Sequence, residues 1–168
     1  MHSTKNDLPG AMRKKLIPML NQALADCVDL RSQIKQAHWT VRGVQFIALH
    51  ELFDQISTAV DGYADTIAER VQQLGGTAQG TARAAAERSA LREYPLEAED
   101  GPEHVEALSE ALAAFAANCR RAIDASTDMG DAVTADMFTE IASGLDKHLW
   151  FVEAHATARD AAPMKRVK

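Results

Sequence analysis

Four long segments of this chain repeat apolar side chains at steps of three and four, the spacing of one buried helical face. They cover about residues 9–41 and 44–74, then a stretch that opens after Gly101-Pro102 and continues through Ile123, and a last one from about Asp131 through Val152. Glycines follow the first two segments, and Pro102 suits a first helical turn. No strand pattern or internal repeat competes, so the sequence predicts an all-α fold.

The connection between the second and third segments is long, from Gly75 to Asp100, and holds a possible short helix at about 81–89. A helix over 44–74 is about 45 Å long at 1.5 Å per residue. A connector of this length can run back along that helix and make the two middle helices parallel. Four helices with one long crossover form the ferritin-like bundle, which we predict as a single domain over 1–168.

Composition and charge argue against some classes of function. The 168 residues are 46% hydrophobic and 25% charged, with a net charge of −6, which argues against a nucleic-acid reader with a wholly basic surface. No apolar run approaches the ~20 residues of a membrane span. Cys27 and Cys119 are far apart and fit two free thiols in a reducing compartment. We therefore expect a cytoplasmic protein.

Positive charge is concentrated at the two ends. Residues 1–18 contain four cationic side chains and one aspartate, and residues 156–168 contain the same numbers. We expect mobile basic tails at about 1–10 and 157–168 on an acidic body. If DNA is bound, these ends must make the contact. The candidate residues are Lys14, Lys15, Lys165, Arg166 and Lys168.

The second predicted helix carries four potential metal ligands on one stripe. With His50 taken as the origin, Asp54, Asp65 and Glu69 fall at about 40°, 60° and 100° around the axis, and Asp61 lies on the same stripe. Asp54 and Asp65 are about 16 Å apart along the axis, so one ion cannot touch both pairs. Taken singly, each pair is better explained as part of a solvated face.

A two-fold axis would bring the two pairs together. Residues 50 and 69 share their midpoint with residues 54 and 65, and that midpoint falls between Ala59 and Val60. Two antiparallel copies of the helix would place His50 and Asp54 of one chain opposite Asp65 and Glu69 of another, which creates two identical sites. His38 could add a nitrogen. Two imidazoles and three carboxylates suit Fe(II), with Mn and Zn as competitors.

The usual Glu-x-x-His pair of a metal site inside one bundle is absent, because no glutamate precedes a histidine by three residues. The chain nevertheless resembles the Dps family, the DNA-protecting miniferritins of starved bacteria. The similarity rests on these segments: Lys35-Gln-Ala-His38-Trp39-Thr-Val-Arg-Gly43-Val-Gln-Phe46, His50-Glu-Leu-Phe-Asp54, Asp65-Thr-Ile-Ala-Glu69-Arg70, Leu74-Gly75-Gly76, Tyr94-Pro95 and Asp146-Lys147-His148-Leu149-Trp150-Phe151.

The resemblance implies a shell of twelve subunits with two-iron ferroxidase centres at its two-fold interfaces. Residues matching His38, His50 and Asp54 come from one subunit, and those matching Asp65 and Glu69 from its neighbour. In the family pattern, His38 with Asp65 and Glu69 holds the tighter iron. His50 and Asp54 hold the second iron, bridged through Glu69. Hydrogen peroxide takes two electrons from the pair of Fe(II) ions, and Fe(III) mineralises inside the shell.

Two functions remain open at this stage. One is a ferroxidase that stores iron and protects DNA from oxidative damage, with direct nonspecific DNA binding by the tails as an addition. The alternative is a DNA-compacting shell, associated with the nucleoid, in which metal chemistry is secondary. Trp39, beside the predicted site, either intercepts stray oxidising equivalents or packs as a core aromatic.

Several other polar residues have weaker interpretations. Asp131 and Asp136, and less strongly Asp128, either stabilise a helix start or line an acidic three-fold pore for Fe(II), as the resemblance implies. Glu51 is expected to be solvated, with mineral nucleation as the alternative. His148 is expected to be packed. His2 and His104 are expected to be solvated, and His155 to lie near the start of the C-terminal tail.

Overall fold

The computed structural model describes residues 1–156. It contains five helices: α1 (Gly10–Thr40), α2 (Phe46–Gln73), α3 (Ala82–Arg88), α4 (Gly101–Asp128) and α5 (Ala132–Glu153). The four long helices match the periodic segments, and α3 is the short helix expected within the connector. The prediction of a ferritin-like bundle with one long crossover is confirmed. Within residues 1–156, no helix is both long and apolar enough to cross a membrane.

The bundle consists of two antiparallel hairpins, α1–α2 and α4–α5, which pack on each other through α1 with α4 and α2 with α5. Two contacts show that α2 and α4 run parallel. Arg42, before α2, forms a parallel backbone bridge with Asp100, before α4. At the other end, Arg70 of α2 pairs with Asp131, which follows α4. The connector therefore runs the length of the bundle.

Local sequence explains where the helices begin. The Asp100 side chain accepts from the Glu103 backbone N–H, and the Glu103 carboxylate accepts from that of Asp100, which is a capping box. Thr81 caps α3, and Asp131 caps α5. Gly75, after α2, has a φ of +81°, and a Cβ there would lie 2.8 Å from the His2 carbonyl oxygen. Only glycine fits this turn.

The core lies along the bundle axis and is built from the predicted apolar positions. Its largest fully buried side chains include Phe53 of α2, Phe115 of α4 and Phe138 of α5. Cys27 and Cys119 are both buried and free. Burial raises the pKa of the Cys27 thiol well above its usual value and that of Cys119 to about 12. Both thiols are therefore protonated and unreactive at neutral pH.

Polar side chains of α1 hold the connector against the bundle. Asn21 donates to the Thr77 carbonyl and accepts from the Gln79 N–H, and Gln33 donates to the Arg92 carbonyl. Asp26 is 1% exposed and accepts from the Ala90 N–H. Because these bonds satisfy backbone groups along most of the connector, the crossover has a defined path despite its length.

Candidate metal centre

The two predicted imidazole ligands lie against each other, where the end of α1 meets the start of α2. Nδ1 of His38 is 2.8 Å from the His50 carbonyl oxygen, and Nδ1 of His50 is 2.8 Å from that of His38. The rings stack with centroids 3.7 Å apart. A carbonyl can only accept, so each Nδ1 carries the proton. With Nδ1 engaged in this way, Nε2 is the nitrogen of each ring that can bind a metal.

Asp54 lies one turn beyond His50 and is held by a lysine. Lys35 Nζ donates to an Asp54 carboxylate oxygen at 2.8 Å. The hydrogen bond and the charge of Lys35 lower the pKa of Asp54, and the nearby His38 and His50 lower it further. The three predicted ligands of this half of the site are therefore close together, with the carboxylate ionised. Sequence reasoning gave Lys35 no role, although it stands three residues before His38.

Asp65 and Glu69 lie farther along α2 and are exposed. Neither has a hydrogen-bond or ion-pair partner within residues 1–156. Arg70, next to Glu69, turns inward and is 7% exposed. Its guanidinium donates to both oxygens of Asp131, to the Thr134 hydroxyl and to the Gln73 side chain. These bonds fix the helical turn that carries Glu69.

One protomer does not assemble the five ligands. Over residues 1–156, no group of three or more His, Cys, Asp or Glu side chains is arranged to hold a metal ion. The structure stacks His38 on His50 and places Asp54 near them, without arranging the three as a metal site, and it leaves Asp65 and Glu69 farther along α2. The separation is the one that a site shared between two chains requires, and sharing itself stays a prediction.

Apolar side chains are exposed around the histidine half of the site. Trp39 is 68% exposed, and Val44, Phe46 and Ile47 are exposed in and after the α1–α2 turn. Trp39 is therefore not a core aromatic of the protomer. Lys35 lies over its ring, with Nζ 5.9 Å from the centroid. Exposed apolar side chains grouped in this way are typical of a protein contact surface.

Asp131 does not fit the expectation of a pore residue. Its side chain is 2% exposed, pairs with Arg70 and accepts from the Thr134 N–H at the start of α5. Burial alone would raise its pKa, but hydrogen bonds from Thr134 and Arg70 outweigh this and lower it. The helix-start interpretation is correct for Asp131. Asp128 and Asp136 are exposed, and their place in a pore stays a prediction.

Two buried histidines lie outside the predicted site. His148 is packed, as expected. The expectation for His104 is wrong, because it is fully buried and its Nδ1 lies 2.5 Å from the Tyr94 hydroxyl. Burial lowers the pKa of both imidazoles. The sequence carried a sign of this burial, since His104 stands four residues before the core residue Leu108.

Of the basic residues proposed to contact DNA, only those near the N-terminus lie within the described residues. Residues 1–9 lie against the turn after α2, where the His2 N–H donates to the Gly75 carbonyl. Arg13 donates to the carbonyls of Leu8 and Leu74. Lys14 and Lys15 are exposed. The three remaining candidates for DNA contact lie outside the described residues: Lys165, Arg166 and Lys168.

Comparison with known proteins gives a consistent result. The sequence profile of the ferritin-like domain matches residues 17–160. A DNA protection during starvation protein of Agrobacterium fabrum is 48% identical over 154 residues, which are 92% of this chain and 95% of the relative. One from Mycolicibacterium smegmatis is 33% identical over 155 residues, 90% of this chain and 84% of the relative.

Solved structures agree with the sequence relatives. The tetragonal form of Mycobacterium smegmatis Dps superposes with a TM-score of 0.87 at 31% identity, covering 92% of this chain and 93% of that one. A Dps protein from Bacillus brevis gives 0.81 at 32% identity, covering 86% and 97%. The similarity therefore extends over both hairpins and the connector.

Proposed function

The chain belongs to the Dps family of ferritin-like proteins, and from this premise we propose that it oxidises Fe(II) with hydrogen peroxide at two-iron centres shared between subunits. The observation that carries the proposal is the reciprocal hydrogen bonding of His38 and His50. It holds Nδ1 of both imidazoles on backbone carbonyl oxygens, which directs Nε2 of each ring to serve as the metal ligand, near Asp54. A packed or solvated histidine pair needs no such arrangement.

The assembled protein would be a homododecamer, with each centre completed across a two-fold interface. His38, with Asp65 and Glu69 of the neighbour, would hold one Fe(II). His50 and Asp54 would hold a second, bridged by the neighbour's Glu69. Each centre holds two irons because peroxide accepts two electrons when its O–O bond breaks. One electron from each Fe(II), with two protons, yields two waters and two Fe(III) and releases no hydroxyl radical.

The chain's own residues prepare this step. The two backbone carbonyls hold the imidazole rings with each Nε2 free. Lys35 orients the Asp54 carboxylate through their ion pair until a metal would replace the lysine. Arg70 holds the turn of α2 that presents Glu69. Trp39, exposed next to His38, is placed to donate an electron to stray oxidising species. Fe(III) would then accumulate as mineral inside the shell.

Complementary variants test whether the centre is shared. One carries His50→Ala and Asp54→Ala, and the other carries Asp65→Ala and Glu69→Ala. Each alone should lose rapid peroxide-driven oxidation, because every site lacks part of its ligands. In shells assembled from equal amounts, random association makes about half of the two-fold contacts unlike, and each of these restores one intact site of two. Activity should return to about a quarter of the parent level.

Asp61, on the same helix, provides a matched control for these variants. Asp61 lies on the ligand stripe but forms an ion pair with Arg31 at 2.7 Å. Asp61→Ala should keep full activity. Zero recovery in shells shown by mass spectrometry to contain both chains at unlike contacts would exclude a shared centre. Anaerobic Fe(II) titration should give two irons per site in the parent.

Direct DNA binding is the second candidate function, with the shell as a compacting protein in the cytoplasm, associated with the nucleoid. The exposed Lys14 and Lys15 favour it, and the net charge of −6 opposes it. Each neutralised phosphate contributes a slope of about −0.9 in log K against log salt. A mobility shift that weakens steeply with salt, and persists in the ligand variants, would support DNA binding independent of iron.

A further inference from the structure

A groove of about 870 Å³ lies between the connector, the first turns of α4 and the residues that follow α5. Its walls combine an apolar part with an acidic part. The apolar part includes Val44, Tyr94, Pro95, Pro102, Ala107 and Ala111. The acidic part consists of Glu93, Glu97, Glu103, Glu106 and Glu110. The volume is within the range of sites that bind small ligands or short peptide segments.

The acidic part of the groove is only partly neutralised. Glu110 pairs with Arg92 at 3.2 Å, and Glu103 belongs to the capping box of α4. Glu93, Glu97 and Glu106 have no hydrogen-bond or ion-pair partner within residues 1–156. Three carboxylates without a partner beside an apolar wall favour an occupant that combines cationic and apolar side chains.

The chain itself supplies a segment of that composition. His155 and Ala156 line the groove, so the following residues start at its rim. Residues 157–168 contain an apolar run, Ala161-Ala162-Pro163-Met164, with Arg159 and Asp160 before it and Lys165, Arg166 and Lys168 after it, a net charge of +3. Twelve residues can reach at most about 40 Å. Its combination of apolar and cationic side chains complements the apolar and acidic lining of the groove.

We propose that residues 157–168 bind this groove of their own chain, with the Ala161–Met164 run on the apolar wall and the flanking cations on the acidic wall. Covalent attachment at the rim gives the segment an effective concentration near the millimolar range, so a weak interaction is enough to keep it bound. Cations held on Glu93, Glu97 and Glu106 cannot contact phosphates at the same time. The groove would therefore compete with nucleic acid for Lys165, Arg166 and Lys168.

Limited trypsin digestion of the full-length assembled protein tests the proposal, since trypsin cleaves after Arg159, Lys165 and Arg166. At about 10 mM ionic strength, where the Debye length is about 30 Å, the bound segment should be protected. The groove variant carries Glu93→Gln, Glu97→Gln and Glu106→Gln. Its segment should be cleaved about tenfold faster than the parent's, as measured by mass spectrometry.

The matched control removes the same charge elsewhere. It carries Glu87→Gln, Asp124→Asn and Glu140→Gln, three exposed carboxylates that do not line the groove. The control should be cleaved at the parent's rate. Equal rates in the groove variant and the parent, with helical content and particle mass unchanged in both, would overturn the proposal.

Carbodiimide cross-linking identifies whose segment is bound. Shells assembled from chains of normal and ¹⁵N-labelled protein should give Lys165 cross-links to Glu97 or Glu106 in which both peptides carry the same label. Cross-links that pair the two labels as often as random association predicts would show a neighbour's segment in the groove. That result would overturn the assignment to the same chain.

Discussion

Lys35 is the residue that most directly controls the proposed site in the protomer. Its ammonium group is bound to the carboxylate of Asp54, which we propose as a ligand of the second iron. A bound Fe(II) must displace this group and then remain close to a positive charge. We therefore expect Lys35 to lower the affinity of the proposed site for iron while it orients the Asp54 carboxylate.

We therefore expect Lys35→Met, which keeps the length of the side chain and removes its charge, to bind Fe(II) about tenfold more tightly. Anaerobic calorimetric titration measures this affinity. Lys147→Met is the control, because Lys147 is an exposed lysine on α5, over the ring of Phe151. An affinity that is unchanged or weaker in Lys35→Met would show that the lysine does not compete with iron.

At the scale of helices, the Arg70–Asp131 pair joins the end of α2 to the start of α5. Both side chains are buried, at 7% and 2% exposure. Removing one partner leaves the other charge without compensation, which costs about 3–5 kcal/mol in buried pairs. Asp131→Asn keeps a side chain able to cap α5 but loses the charge.

We expect Asp131→Asn to lower the free energy of unfolding by about 3 kcal/mol, as measured by urea denaturation. Asp136→Asn, at an exposed position on the same helix, should change it by less than about 0.5 kcal/mol. Equal stabilities of the two variants would contradict this account.

The Arg70–Asp131 pair also makes the stability of the fold depend on pH. The pKa of Asp131 is lower in the folded than in the unfolded chain. Its contribution to stability is therefore complete above the unfolded value of about 3.9 and is lost as the pH falls through the folded value. Asp131→Asn should remove this part of the acid sensitivity.

The elements were largely predictable from sequence, and their contacts were not. The ends of α1 and α2 lie within two residues of the predictions, because apolar periodicity and glycines such as Gly43 act locally. In the sequence, Asp131 is one acidic residue among several. Its partner Arg70 is 61 residues away, so no local pattern indicates that the two residues pair. The pairing of Lys35 with Asp54 likewise depends on how α1 packs against α2. Such contacts have no periodic pattern.

For the whole molecule, we expect a closed assembly of twelve 18.3 kDa chains, about 220 kDa. The exposed Trp39, Val44 and Ile47 would become buried in it. Light scattering on a chromatography peak measures the mass. A stable species near 18 kDa would exclude both the shell and the shared centre.

All five proposed ligands lie on the first hairpin, and α4 and α5 contribute none of them. The molecule thus separates, along its own sequence, the part that performs the chemistry from the part that holds it in place. Substitutions in the second hairpin would change the stability of the bundle and would reach the proposed ligands only through its packing. The exception is Asp131, because its pairing with Arg70 connects the second hairpin to the turn of α2 that carries Glu69.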